Sequence, residues 1–482
     1  MRRSLRRRPG RLGPRRRDGD RIAWSGSQPR SEVSAASGRE RSKSVARAQA
    51  SARLHALSTA KRLARRRVLV VGAGFGGLEV VRGLKRADVD TVLVDRHNYH
   101  LFTPLLYQVA SSLLDPSEIA RPARTMLRRI ANVDVRVGSV TRVDLDTQQV
   151  QTENGPLEYD YLVLASGSIN NFFGNDQLSQ AAFGLKDLGQ ALALRNQVLW
   201  QFERASWSGD PQERRRLLTF VIVGGGPTGV EYAGALSELV ALVLRKDFPY
   251  LDMAEVRVVL VELTDGLLAG FAPRLSKAAV RTLRRKGIEL MLGVAAKDYT
   301  GGVLRLSNGQ DLAVDTIVWT AGVRAAPLDP GLGALSVRQD RLRVQPTLQL
   351  DGHPQVFVVG DLAGMVQDGQ PLPMMIPAAQ QEGRHVAKNI KRLIRQEPLL
   401  PFRYRDPGMM ATIGRNSGVA QVGPFRFSGF IGWVIWLGFH LLKVVSFRNR
   451  LVILIAWAVD YLFYDRPVRL ITGPSPPPGR GL

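Results

Sequence analysis

Val68-Leu69-Val70-Val71-Gly72-Ala73-Gly74-Phe75-Gly76-Gly77 decides how this chain folds. Four apolar, β-favouring residues break into G-x-G-x-x-G, and a segment with helical spacing follows. A strand, a glycine turn and a helix in that order make a dinucleotide-binding unit. The first glycine permits the tight turn, the second lets backbone approach a diphosphate, and the third lets the helix lie on the strand. The diphosphate then rests on the positive end of the helix. The pattern returns 152 residues later as Phe220-Val221-Ile222-Val223-Gly224-Gly225-Gly226-Pro227-Thr228-Gly229. Aligning Val68–Leu84 with Phe220–Leu236 gives identity at Val71/Val223, Gly72/Gly224, Gly74/Gly226, Gly77/Gly229, Glu79/Glu231 and Leu84/Leu236. One such turn also serves simple packing. Two in register imply a chain that holds two dinucleotides at once, one tightly and one in exchange.

The 482 residues suffice for two or three domains with proper cores. The chain has no cysteine. That excludes disulfides, cysteine-ligated iron–sulfur clusters, a redox-active C-x-x-C and a thioether to a flavin. The six histidines show no metal-ligand spacing, and no metal is expected. Of the net charge of +25, residues 1–67 hold +17, from 21 Lys and Arg against 4 Asp and Glu. The remainder is only mildly basic, so the overall charge does not point to a nucleic-acid-binding core.

Residues 1–67 are rich in Arg, Ser, Ala and Gly, with little to bury, and disorder is expected there. No apolar h-region marks a secretory signal. A bland tail or over-extended start, a membrane or nucleic-acid contact and a transit peptide are the three readings left open. Order is expected from about Arg67. Strand 68–71, helix 76–87 and strand Thr91–Val94 form a βαβ unit ending at Asp95, 18 residues after Gly77, where the ribose-binding acid belongs. Residues 133–150 alternate like half-buried strands, and Tyr161–Ala165 is a buried strand entering a small-residue turn. In the second unit, Glu262 ends strand Val256–Val261 as Asp95 ends the first. Strands are expected near 289–292, 302–306 and 312–318. Val356–Val359 then runs into Gly360-Asp361, ahead of a helix over 378–395 that begins near Pro377. A nucleotide domain interrupted, filled by a second one and resumed explains this order. From Ser428 the chain carries Trp433, Trp436, Phe439, Phe447 and Trp457, suited to a membrane interface, beside Lys443, Arg448 and Arg450. Its first apolar run has 14 residues, against roughly 20 for a membrane span. A helix lying in the membrane interface is expected, the alternative being a buried or dimer-interface helix pair.

These residues resemble the type II NADH dehydrogenases, the single-subunit, non-proton-pumping NADH:quinone oxidoreductases. The marks are Asn98-Tyr99-His100-Leu101-Phe102-Thr103-Pro104-Leu105-Leu106-Tyr107-Gln108, the Gly224–Glu231 motif, Gly360-Asp361, Ala379-Gln380-Gln381-Glu382-Gly383, and Phe447-Arg448-Asn449-Arg450 through Asp460-Tyr461. They span about residues 66–472. The resemblance implies an α/β fold of two Rossmann-like dinucleotide-binding domains, the second inserted in the first, plus a C-terminal amphipathic helical membrane-binding tail. The boundaries expected are 1–66 for a disordered basic extension, 67–190 and 346–400 for an FAD-binding domain, 191–345 for an NADH-binding domain and 401–472 for the membrane-associated region.

By the same resemblance, Gly72, Gly74, Gly77 and Asp95 hold a non-covalent FAD. Thr103 and Pro104 lie near its ring system, and Asp361 near its ribityl–phosphate region. Gly224, Gly226, Gly229 and Glu262 hold NADH as co-substrate, with Gly322 in the turn near the nicotinamide. Glu262 accepting both ribose hydroxyls repels a 2′-phosphate. Gln381 falls where the family contacts quinone, and Glu231 where it has a glutamate near flavin and quinone. Glu231 relays a proton if burial raises its pKa, or else ion-pairs at a helix start. The expected partners are a membrane quinone, the membrane surface and a second copy in a homodimer, with no specific nucleic acid. The expected location is peripheral, on the cytoplasmic face of a bacterial inner membrane. Truncation after about Arg426 is expected to release the enzyme and, provided the fold survives, to spare activity with soluble acceptors. A ferredoxin or phylloquinone-precursor reductase, or a redox-responsive nucleic-acid-binding protein acting through the basic N-terminus, are the competing functions.

Overall fold

The computed structural model describes residues 65–444, 447–463, 466 and 468–472. The readings of residues 1–64, nucleic-acid binding included, lie outside the described residues. Arg66, assigned above to the extension, already pairs with Val89 in the first strand.

The first sheet opens with β1 (Arg66–Val71), α1 (Phe75–Gly83), β2 (Val89–Asp95), β3 (Val133–Val137) and β4 (Tyr161–Leu164). β1 pairs in parallel with β2 and β4, and β2 with β3. Val68–Val71 are buried on both faces, which is why that run is apolar throughout rather than alternating. α1 ends at Gly83, short of residue 87, and Arg86 turns the chain toward β2 with a φ of 66°.

The chain then leaves this sheet. Phe183–Gly184 already belongs to the second one, ahead of the boundary expected at residue 191, because it pairs in parallel with a later strand. α2 (Leu188–Trp207), β5 (Thr219–Val223), α3 (Pro227–Leu239), β6 (Arg257–Glu262), β7 (Glu289–Leu292) and β8 (Thr316–Trp319) follow. The second sheet runs Phe183–Gly184, β8, β5, β6, β7, all parallel. The chain returns with β9 (His353–Val358), parallel beside β4 in the first sheet. The second nucleotide fold is thus inserted in the first.

α4 (Ile376–Ile394) takes Pro377 in its first turn and packs on α1 through glycines. A Cβ on Gly383 would stand 2.3 Å from the Gly76 carbonyl oxygen, and one on Gly83 2.5 Å from the Ala387 Cβ. The chain closes with β10 (Met409–Thr412), β11 (Gly418–Val422) and β12 (Phe425–Gly429), a small antiparallel sheet. α5 (Phe430–Lys443) and α6 (Phe447–Phe463) follow. α5 crosses β11 where Gly432 meets Gly418. Among the described residues no helix is long and apolar enough to cross a membrane.

Candidate functional site

Both glycine turns are built the same way. Gly72 and Gly224 have φ of 109° and 112°, a region that L side chains avoid. A Cβ on either would strike the backbone below, 2.3 Å from Ala165 O in one and 2.6 Å from Ala321 N in the other. A Cβ on Gly77 or Gly229 would stand 1.9 Å from the carbonyl oxygen of the first glycine of its own turn, so the helix can close on the strand only with glycine there. Gly74 and Gly226 differ: their Cβ atoms would enter open space, with nothing within 4 Å. Bare backbone therefore faces an open cradle at the start of α1 and again at the start of α3. This is the fit that a dinucleotide diphosphate requires.

Each cradle has an acid on its rim. Asp95 Oδ2 accepts the Ala73 amide at 2.6 Å, and Glu262 Oε2 accepts the Gly225 amide at 2.6 Å. The other oxygens accept from His97 N at 2.7 Å and Thr264 N at 2.8 Å. Both carboxylates are thereby held at the strand end, on the rim of the cradle. Below the second turn, the Thr320 hydroxyl lies 2.9 Å from Val223 O and 3.0 Å from Gly224 O. Gly322 follows, and a Cβ there would meet the Phe173 ring at 2.8 Å.

Asp361 sits in the turn after β9. It accepts from the Ser168 hydroxyl, and Lys186 Nζ lies 3.6 Å away. Beneath it the buried Glu382 accepts the Gly360 amide. Burial pushes the Glu382 carboxyl up to about 7, against the pull of that amide and of Arg341. Thr103 and Pro104 occupy a short 3-10 turn ahead of the buried helix Leu106–Ala110. Gln381, on α4, uses both ends of its amide on the Arg405 backbone, at 2.8 and 3.1 Å, which leaves its second amide hydrogen for a ligand.

Glu231 is a second buried acid. It lies on α3, beneath β10 and α5. Its Oε1 accepts the Thr412 amide at 3.2 Å and the Trp436 indole N–H at 3.0 Å. Burial lifts its carboxyl to about 8, so it holds a proton at neutral pH. The ion-pair alternative fails: Glu231 has no ion pair among the described residues. The aligned Glu79 does, with Arg384 at 3.1 Å and Arg82 at 3.4 Å.

The tail corrects one expectation. Trp436 is not at a surface but 1 % exposed, wedged between Glu231, Tyr107 and His440. His440 is stacked on it and donates through Nδ1 to the Trp436 carbonyl oxygen, and burial drives its pKa down to about 4. Lys443 and Arg448 do stand exposed. Sequence reasoning missed Ser168, Lys186, Glu382 and the roles of Tyr107, Gln108 and Trp436. Tyr107 and Gln108 lie in the quoted 98–108 motif, which was the available signal.

Residues 66–383 match the family model of the pyridine nucleotide-disulphide oxidoreductases. With no cysteine in the chain, no disulfide takes part here. The type II NADH:quinone oxidoreductase Ndh of Mycobacterium tuberculosis is 40% identical over 429 residues, covering 86% of this chain and 92% of that one. The type II NADH:quinone oxidoreductase of Staphylococcus aureus is 29% identical over 367 residues, covering 74% and 90%. In fold, the chain is similar to NDH2 from Plasmodium falciparum in complex with NADH. The TM-score is 0.78 at 17% identity, over 84% of this chain and 99% of that one.

Proposed function

We propose, because this chain belongs to the type II NADH:quinone oxidoreductases, that it passes a hydride from NADH to a non-covalent FAD and two electrons on to a membrane quinone, without pumping protons. The observation that carries this reading is the pair of matched cradles, with a proton-holding carboxyl on the helix that leaves the second of them.

When bound in the first cradle, the flavin supplies hydride acceptance and two-electron delivery. The chain's own groups do the rest. The amides of Gly72–Gly77 and Asp95 bind the FAD, and Asp361, aligned by Ser168 and Lys186, faces its ribityl–phosphate region. The amides of Gly224–Gly229 and Glu262 bind NADH beside Gly322. Gln381 contacts the quinone. Glu231 holds a proton where the quinone's oxygens need one. On α5 and α6, Ile431, Val434, Leu451, Leu454, Ile455 and Leu462 are exposed. With Lys443 and Arg448 they suit a helix pair lying in a membrane surface. A homodimer on the cytoplasmic face of a bacterial inner membrane completes the reading.

Anaerobic addition of NADH to the purified yellow protein should bleach the flavin band, and a soluble quinone should restore it. Acid precipitation should leave FAD in the supernatant. A band that NADH does not bleach, or FMN in the extract, would overturn the reading.

Glu262 sets coenzyme choice on this view. Its orientation by Gly225 and Thr264 fixes it for the ribose hydroxyls. Glu262→Gln should weaken NADH by about 1–3 kcal/mol, or roughly 5- to 150-fold, and relax rejection of NADPH. The ratio of kcat/KM for the two coenzymes measures it; an unchanged ratio would remove Glu262 from the role.

A further inference from the structure

Trp457, Gln108 and Tyr107 have no part in the reading above, yet they are joined in sequence. The Trp457 indole N–H, on α6, donates to Gln108 Oε1 at 2.8 Å. Gln108 Nε2 donates to the Tyr107 hydroxyl oxygen at 2.8 Å. Gln108 and Tyr107 are only 3 % and 5 % exposed. The Tyr107 ring meets Trp436 edge-on at 6.2 Å, and Trp436 in turn donates to Glu231. Tyr107 belongs to the helix that continues directly from Thr103 and Pro104. A run of polar contacts and packed rings thus leads from a helix with an exposed apolar face to the buried acid.

Burying an amide in an apolar cluster costs free energy unless both its ends are used. Here their use also fixes direction. An indole N–H can only donate, so it selects the amide orientation with Oε1 toward Trp457. Nε2 must then face Tyr107, whose oxygen accepts. The phenol's own hydrogen has no acceptor among the described residues and is left available. Without the indole donor the amide can turn over. Gln108 Oε1 would then accept the Tyr107 O–H and tie that hydrogen up. Burial keeps the phenol protonated, its pKa held well above the ordinary 10, and the Glu231 carboxylate adds to the effect once it ionises above about 8.

We propose that the Tyr107 hydroxyl donates a hydrogen bond to the quinone, and that Gln108, oriented by Trp457, is the positioning residue that keeps its hydrogen free. The seating of α6 is thereby built into the quinone half-reaction. This rests on the quinone reading above.

The test is stopped-flow on the flavin-loaded full chain, with NADH reduction and reoxidation by a soluble short-chain quinone followed separately. Trp457→Phe keeps a ring and removes only the N–H. Tyr107→Phe removes the donor. Each should slow reoxidation about 10- to 100-fold and leave flavin reduction within about twofold. In the Tyr107→Phe background, Trp457→Phe should add nothing, since no hydrogen remains to misdirect. Gln108→Glu, which accepts from both neighbours, should reproduce the loss. Additive effects of the two substitutions, or equal slowing of both half-reactions, would overturn the proposal in favour of a packing role. Wild-type flavin that NADH reduces but quinone fails to reoxidise would instead sink the quinone reading itself.

Discussion

Glu231→Gln should slow flavin reoxidation by quinone about 100- to 10,000-fold while leaving the flavin's reduction by NADH intact, the range expected when a general acid is lost. Gln keeps an acceptor for the Thr412 amide and the Trp436 indole, so the pocket survives and only the transferable proton goes. The pH dependence follows from the pKa near 8. The acid form dominates below that value, so wild-type reoxidation should fall as pH rises through about 8, and the variant should show no such fall. Stability falls with rising pH as well, over a lower range. From the ordinary 4.5 up to about 8, the folded chain holds a proton that the unfolded chain has released. Stability from this group is therefore fully present below 4.5 and lost as pH rises to 8. At pH 7 the loss is on the order of 3 kcal/mol. Glu231→Gln removes that penalty, so its urea midpoint should exceed wild type by a margin that grows from pH 5 to pH 8. A wild-type rate flat across pH 6–9, or a variant that is less stable at pH 8, would show that Glu231 is not a proton-holding acid.

Whether a feature could be read from sequence depended on how local its physics is. The two cradles were legible because a tight turn, a close backbone approach and a helix–strand contact each demand glycine within six consecutive residues. Asp95 and Glu262 were legible because a strand end fixes them relative to those turns. Glu79 and Glu231 show where this stops. They occupy the same register after aligned glycines, yet one ion-pairs with Arg384 and the other lies under Trp436 and Thr412. Only packing between elements far apart in sequence separates them. Trp436 was read as an interface residue for the same reason. Its neighbours in sequence are aromatic and apolar, but the side that faces Glu231 is set by where Gly432 lets α5 cross β11. The sheet β10–β12 escaped notice because its strands are four or five residues long and lack a sustained alternation. Lys186 and Ser168 reach Asp361 only after the inserted domain has folded the chain back, and nothing near them in sequence signals it.

Substituting Ile431, Leu454 and Leu462 together by Asp should lower partition onto liposomes by about 100-fold or more. These side chains are 59 %, 49 % and 66 % exposed, so they contribute little to the fold and much to any membrane contact. Regaining about half the burial of a full apolar side chain is worth about 1 kcal/mol each, and three together give the factor. Activity with a soluble short-chain quinone should persist, since none of the three touches Glu231 or either cradle. Truncation after Arg426 is not an equivalent test. It removes Trp436, Val444 and Ile453 from the large core, where losing one buried Trp alone costs about 3–5 kcal/mol. It also removes Arg466. The guanidinium of Arg466 donates to Ser111 O at 2.9 Å and Ala235 O at 3.1 Å, and lies 3.4 Å from Asp460 and 3.7 Å from Glu238. With a native chain typically stable by only about 5–15 kcal/mol, the truncated protein should misfold and pellet by aggregation. A soluble, active truncated enzyme was expected only if the fold survives, and these losses bear on that condition. The surface triple variant avoids that confusion, and a cooperative unfolding transition confirms that it is folded. Exposed Lys443 and Arg448 add about 1 kcal/mol each at an anionic surface. High salt should therefore release wild type only in part and the triple variant fully. If the folded triple variant still sediments with liposomes as wild type does, α5 and α6 do not form the anchor, and their apolar face is covered by a second copy of the chain instead.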